Sequence, residues 1–188
     1  SVKLIKLYVE NYRALKNCLV DISDDLTVVI GKNNTGKTSL AGILSKFLGG
    51  ASFVYDDLNL AAKKSLYAEV IGESVSEVLP PSMSLTLVIR YTDEDTLKNI
   101  RSLLLDLDEN NHEVGIRFTR FISLERLESC RDDFRAYCSG LEPGCTSELF
   151  EKFMSQNHDK YYKTEVVPIY CHDGKFDLKR TGTPLKAD

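Results

Sequence analysis

The stretch Leu26 to Leu48, LTVVIGKNNTGKTSLAGILSKFL, constrains the fold more than any other part of the chain. Leu26, Val28, Val29 and Ile30 are an apolar, largely β-branched run that suits a strand covered on both faces. Gly31, Lys32, Asn33, Asn34, Thr35, Gly36, Lys37 and Thr38 then fill GxxxxGK[ST] position by position. Leu40, Ile43, Leu44, Phe47 and Leu48 recur at helical spacing until Gly49 and Gly50 stop the pattern. A strand, a glycine-bounded loop and a helix therefore follow one another without a break.

This spacing answers to anion chemistry. Gly31 and Gly36 let the backbone turn tightly with no Cβ in the way, so the amides from Asn33 to Thr38 can converge on phosphate oxygens. Lys37 is expected to set its ammonium against the β and γ phosphates, and Thr38 to offer its hydroxyl to Mg²⁺. Ser39 could donate to the α phosphate. The expected nucleotide-binding residues are Gly31, Asn33, Asn34, Thr35, Gly36, Lys37, Thr38 and Ser39, with Thr38 as the metal ligand. A glycine-rich turn between unrelated elements is the alternative, and the strand before and helix after count against it.

With 188 residues the chain fits one domain with enough apolar side chains for a sound core. No apolar run approaches membrane-spanning length and the start does not resemble a signal peptide, so a cytoplasmic protein without a membrane partner is expected. Cys18, Cys130, Cys138, Cys145 and Cys171 include no CxxC pair and no zinc-ligand spacing, which favours reduced thiols over a metal site. A net charge of −4 argues against strong nucleic-acid binding by this segment alone, although a local basic patch would be compatible with it.

Ahead of the glycine loop, Val2 to Val9 alternates as a strand, Glu10-Asn11-Tyr12 reads as a turn, and Leu15 to Ile22 can return as a second strand. Further on, Phe53 to Leu79 reads as mainly helical, with Asp56 or Asp57 as cap and Pro80-Pro81 as its end. Strands are expected around Leu85 to Tyr91, where Leu85, Leu87, Ile89 and Tyr91 alternate with Thr86, Val88 and Arg90, and around Val114 to Phe118, with helices over Thr96 to Leu107, Ser123 to Cys138 and Thr146 to Gln156. Glu165 to Tyr170 and Lys175 to Leu178 flank Asp173-Gly174, a tight-hairpin dipeptide. His172 reads as a turn residue. The end, residues 179–188, reads as a linker or frayed terminus.

The segment VKLIKLYVENYRALKNCLVDISDDLTVVIGKNNTGKTSLAGIL resembles the opening of the SMC, RecF and OLD (overcoming lysogenization defect) group of ABC-type ATPases. Members typically begin with a strand, an N-[FY]-[RK] turn, a second strand and a GxNxxGK[ST][ST] loop. Asn11-Tyr12-Arg13, Asn33, Asn34 and Gly36 to Ser39 match that form. Asn34 replaces the Gly usual in SMC and RecF proteins, and the Asn-Asn pair looks closest to the OLD-family ATP-dependent endonuclease, or AAA-type ATPase, branch. Asn tolerates left-handed backbone angles, so the change need not deform the loop.

The resemblance implies an α/β P-loop NTPase fold similar to the N-terminal lobe of an ABC ATPase, with an antiparallel β-hairpin before the Walker A strand and a mixed sheet packed with helices. It implies one incomplete ATPase domain over residues 1–188: hairpin and phosphate-loop unit to 50, the rest of the lobe over 51–178, and the tail from 179. ATP and Mg²⁺ are the implied cofactors. A second ATPase lobe and the C-terminal remainder of the same protein are implied partners, with DNA and a homodimer or higher oligomer in the intact form. Arg13 gains a possible place near the nucleotide's phosphates or base, against the plainer reading of a surface arginine on a turn.

No catalytic residue is expected within these residues. Leu103-Leu104-Leu105-Asp106-Leu107-Asp108-Glu109 superficially resembles a Walker B strand, but its apolar spacing runs back through Ile100 and Leu97 as a helix would. No glutamine loop or serine-glycine signature is visible, and Gln156 sits in a polar helix end. The expected function is ATP binding, with little hydrolysis by this segment and coupling to DNA binding or cleavage in the intact protein. A stand-alone P-loop small-molecule kinase or GTPase, or a non-catalytic interaction module with a vestigial phosphate loop, are the alternatives. The first needs an acceptor site or NKxD-like motif that is not found.

Overall fold

The computed structural model of the chain describes residues 2–22, 34–73, 76–92, 105 and 110–185. Strands β1 (Lys3–Tyr12) and β2 (Leu15–Asp21) form the expected antiparallel hairpin, with the strand continuing through the residues read as a turn. Helix α1 (Asn34–Leu48) follows, then a 3-10 turn (Tyr55–Asp57) and α2 (Leu60–Ile71). Strands β3 (Met83–Arg90) and β4 (Glu113–Ile122), helices α3 (Leu124–Cys138) and α4 (Ser147–Tyr161), and the hairpin β5 (Tyr162–His172) and β6 (Lys175–Thr181) complete the described elements.

The sheet order is β2-β1-β3-β4-β5-β6, and every described pair is antiparallel. The mixed sheet expected from the sequence is thus not seen among these pairs, and the strand expected at Leu26 to Ile30 lies outside the described residues. One face of the sheet packs on the helices through Leu7, Val9, Leu85 and Leu87, which share a core with Ile43, Leu66, Leu127, Phe134 and Phe153. The other face curls upon itself. In a flat sheet β6 would lie about 19 Å from β1, four strand spacings away. Instead the Tyr8 and Phe176 ring centroids are 5.5 Å apart and Lys6 Nζ donates to the Gly174 carbonyl at 2.7 Å.

That curl buries both faces of β3 over most of its length. Ser84, Thr86 and Val88, the residues turned away from the helices, are all buried beneath it. Ser84 and Arg117 both donate to Glu10 there, at 3.0 and 3.2 Å, whereas Thr86 Oγ1 and Arg117 Nε have no hydrogen-bond partner among the described residues.

Three helix boundaries also differ from expectation. The segment after residue 53 is a 3-10 turn and a later helix, capped by Asn59, whose side chain accepts from the Ala61 amide at 3.0 Å, and ending before Gly72 rather than at Pro80-Pro81. Asp56 and Asp57 are not its caps. α4 runs to Tyr161, beyond the expected Gln156, because Phe153, Met154, His158 and Tyr161 continue a buried stripe. The expected helix at Thr96 to Leu107, and the Walker B-like decoy within it, lie outside the described residues apart from Leu105. The tail does not fray over 179–185: β6 reaches Thr181, and the Gly182 and Leu185 amides donate to the Pro168 and Val166 carbonyls at 2.9 and 2.8 Å. The Asp173-Gly174 turn has φ of 51° and 71°, the left-handed pair a two-residue hairpin requires, as the dipeptide implied.

Candidate nucleotide site and the corner that holds it

α1 begins at Asn34, so the backbone of Asn34, Thr35, Gly36, Lys37 and Thr38 forms its start. The first four amides of any helix have no acceptor within it, and their dipoles add to a partial positive charge. No acidic side chain occupies the first turn to compete for them. Gly31 and Asn33 lie outside the described residues. Ser39 and Leu40 are buried, and Leu40 and Ile43 anchor the helix in the core.

Three contacts seat α1 against the rest of the lobe. At Gly42 an added Cβ would come 2.6 Å from the Tyr12 hydroxyl oxygen, so the glycine allows the close approach of β1. Phe47 packs on Phe53 and Phe118, at ring-centroid distances of 4.9 and 5.7 Å. Lys46 pairs with Asp57 of the 3-10 turn.

Asp57 is the centre of this corner. Its carboxylate is 0% exposed, and both oxygens are occupied. Oδ1 accepts from Arg13 Nε at 3.1 Å and pairs with its terminal nitrogen at 3.0 Å; Oδ2 takes Lys46 Nζ and the Val54 amide, the latter at 2.8 Å. A buried carboxylate left without such partners would cost several kcal/mol, about 3–5 when one partner of a buried pair is removed. The backbone reinforces the lock. The Arg13 amide donates to the Asp57 carbonyl at 2.7 Å, the Asn59 amide to the Asn11 carbonyl at 2.9 Å, and Asn59 Nδ2 to the Arg13 carbonyl at 2.6 Å.

These bonds explain the Asn-Tyr-Arg sequence locally. Asn11 and Arg13 hold left-handed backbone angles, φ 57° and 50°, which are unfavourable for an arginine and are compensated by the bonds to residues 57–59. Asn11 Nδ2 donates to the Ser82 carbonyl at 2.8 Å. Tyr12 is buried between, and its phenol is pushed above its ordinary value, first by burial and then by the Asp57 charge, with Arg13 opposing.

The structure therefore divides the residues expected at the nucleotide. Asn34 to Ser39 stand together at the start of α1. Arg13 stands beside Lys46, twelve residues further along, which is about 18 Å of helix rise from Asn34. The Arg13 side chain is 44% exposed. Sequence reasoning missed Asp57, Lys46 and Gly42, since no local spacing links residues 13, 46 and 57.

Beneath the 3-10 turn lies a small cavity of about 10 Å³, lined by Tyr55, Tyr162, Arg120 and His158 among others, enough for about one water. Arg120 donates to Asp159 Oδ1 at 2.6 Å and lies 3.0 Å from His158 Nδ1. Burial lowers the His158 pKa and Arg120 adds to this, while Asp159 and Asp57 work the other way.

Among the described residues only Cys138 and Cys145 of the cysteines interact with each other, the Cys138 thiol being pushed up to about 11, first by burial and then by Cys145. Cys130 contacts Met154 at 3.7 Å, Cys171 meets Glu113 at 3.5 Å at the far end of the sheet, and no metal-holding cluster occurs among the described residues. Burial pushes the Cys130 and Cys171 thiols up to about 12, as expected for inert reduced cysteines. The donor set that fits a triphosphate and Mg²⁺ is the one at α1: helix-start amides that have no acceptor within the helix and no acid in its first turn, in a segment carrying Lys37 and Thr38. Among the described residues no helix is long and apolar enough to cross a membrane.

A family model described as an AAA ATPase domain matches residues 3–176. No curated protein and no solved structure matches the chain.

Proposed function

The chain belongs to the AAA ATPase domain family, and from that premise we propose that it is the ATP-binding N-terminal lobe of an OLD-, RecF- or SMC-like ATPase. In the intact protein this lobe would couple ATP binding and hydrolysis to DNA binding or cleavage. The observation that carries the reading is the order of elements: an antiparallel hairpin turning at Asn11-Tyr12-Arg13, then the GxxxxGK[ST] motif running into α1, with the turn bonded to the segment that follows that helix. Family membership supports a P-loop ATPase domain; the hairpin and the Asn33-Asn34 pair favour the OLD-like branch.

ATP brings the phosphoryl group and Mg²⁺ the counter-charge that spreads over it. Gly31, Asn33, Asn34, Thr35 and Gly36 would cradle the phosphates through main-chain amides, Lys37 would neutralise the terminal phosphates, Thr38 would ligate the metal, and Ser39 would donate to the α phosphate. The hydrolytic acid and the signature that closes an ABC-type site would come from the remainder of the protein and a second lobe. Phosphoryl transfer depends on that full positioning, so this lobe alone would bind nucleotide and turn it over poorly.

Calorimetric titration of the folded protein with Mg·ATP tests the reading. Saturable binding is expected, abolished by Lys37→Ala with the fold intact. A folded wild-type protein that takes up no nucleotide would overturn it. For the intact protein, DNA retention that depends on ATP and is lost in Lys37→Ala is expected; retention indifferent to ATP would remove the DNA-coupling part alone.

A further inference from the structure

We propose that Asp57 is a positioning residue for nucleotide binding, fixing the axial setting of α1 by holding Lys46 and the Asn-Tyr-Arg turn on one buried carboxylate, a role that rests on α1 being the phosphate-loop helix. The apolar contacts of α1 are poorly suited to this task. Leu40, Ile43 and Phe47 bury area, and burial is non-directional, so a small slide along the helix axis costs them little. The Gly42–Tyr12 approach sets the distance between helix and strand. Among the described side chains of α1, Lys46 alone makes an ion pair, and that pair is directional.

Its anchor is stiff. Asp57 is held by the Val54 amide within its own turn, by Arg13 through side chain and backbone, and by the flanking Leu58–Tyr12 bridge and Asn59 bonds. Lys46 itself is 12% exposed, so the ammonium has little water to fall back on. Where α1 sits along its axis decides where its first-turn amides stand relative to the rest of the lobe. Arg13 thereby serves the site through Asp57, from beside the helix rather than at the phosphates.

Positioning and mere stability make different predictions. Removing Asp57's charge alone strands Lys46; removing both charges strands neither, and Arg13 is exposed enough to be hydrated, so most of the stability should return while the clamp stays absent. Wild type, Asp57→Asn, Lys46→Met and the double variant Lys46→Met/Asp57→Asn are titrated with Mg·ATP well below their melting temperatures. Amide exchange across residues 40–48 is followed without nucleotide. The singles are expected to bind Mg·ATP about tenfold more weakly, within the usual range of coupling between distant sites, and to exchange faster across α1 than across α3. The double variant should melt near wild type and still bind about tenfold more weakly.

Affinity that recovers along with melting temperature in the double variant would reduce Asp57 to a stability role. Wild-type affinity in folded Asp57→Asn would do the same. If wild type itself binds no Mg·ATP, the phosphate-loop reading fails; unchanged α1 exchange in Asp57→Asn would then sink the clamp separately.

Discussion

Asp56 and Asp57 are neighbours in one 3-10 turn, and they face opposite ways. Asp57 is fully buried between Arg13 and Lys46, while Asp56 is 80% exposed and pairs with Lys63 at 2.5 Å. Lys63 also reaches Glu151 at 2.6 Å and lies 4.6 Å from the centre of the Tyr55 ring. The two pairs look alike on a contact map and differ in what they do. Around Asp57 the solvent is gone, so each oxygen must find a protein donor, and those donors come from three separate stretches of chain. Around Asp56 water remains, the attraction is screened, and freezing two side chains offsets much of what is left. The lesson is that a carboxylate organises its surroundings in proportion to the water it has given up.

The largest test of that contrast is Asp57→Ala. It leaves Lys46 and part of Arg13 uncompensated, and a loss of about 3–5 kcal/mol in urea unfolding is expected. A loss no greater than that of the matching change at Asp56 would erase the distinction. Next comes the packing beside it. Gly42→Ala drives a Cβ to 2.6 Å from the Tyr12 hydroxyl oxygen and should cost about 1–3 kcal/mol. The clash is with the oxygen alone, the ring carbons being at 3.6 Å and beyond. Tyr12→Phe should therefore relieve most of the Gly42→Ala penalty. By itself Tyr12→Phe should be close to neutral, because that buried hydroxyl has no hydrogen-bond partner among the described residues. A double-mutant cycle showing simple additivity would mean that the helix had moved instead.

What could be read from the sequence was local, and what could not was the pairing of distant residues. α1, the β1–β2 hairpin and the Asp173-Gly174 turn depend on periodicity and turn chemistry within a few residues, and all three are present as expected. The Ser123 and Thr146 caps of α3 and α4 belong to the same class, accepting from Arg126 and Leu149 amides at 3.3 and 3.2 Å. The Asp56-Asp57 pair misled because acids before a helix usually cap it; here Asn59 does so and Asp57 is spent on residues 13 and 46. β3 was legible as a strand from its alternation, which says nothing of a curl that buries both of its faces. The tail misled because its bonds to Pro168 and Val166 are to a strand, not to neighbours. In the candidate site, the phosphate-loop residues were legible as a motif, whereas the corner that seats their helix was not.

A buried cluster on the other side of the same turn sharpens the comparison through pH. His158 faces Arg120 and Asp159, with Asp57 beyond, and its pKa in the fold lies below the ordinary 6.5, chiefly through burial. The unfolded chain then binds the proton more readily than the native one. His158's contribution is therefore fully present above about pH 6.5 and declines as the pH falls through that value towards the lower native one. His158→Gln should flatten this part of the stability profile, measured by urea unfolding from pH 7.5 down to 5. A profile of the variant as steep as wild type would assign the slope to another group.

The smallest effect is expected at Asp56, and it is the most direct check on the contrast with Asp57. Its carboxyl is held below the ordinary 3.8, first by the hydrogen bond from Lys63 and then by that ammonium's charge. On the other side of the pair, burial pulls the Lys63 pKa down, but the bonds to Asp56 and Glu151 outweigh it and leave a net rise. A depressed acid contributes above its unfolded value and loses that contribution as the pH falls through the folded one, so the Asp56 contribution is in place at neutral pH and makes stability pH-dependent only below about pH 4. Lys63 keeps Glu151 as a second partner when Asp56 is neutral, which limits the loss further. Asp56→Asn should therefore cost about 0–1 kcal/mol at neutral pH, and less in high salt. A cost approaching that of Asp57→Ala would show that exposure does not set the worth of a carboxylate in this turn, because two adjacent acids differing mainly in their water would then weigh the same.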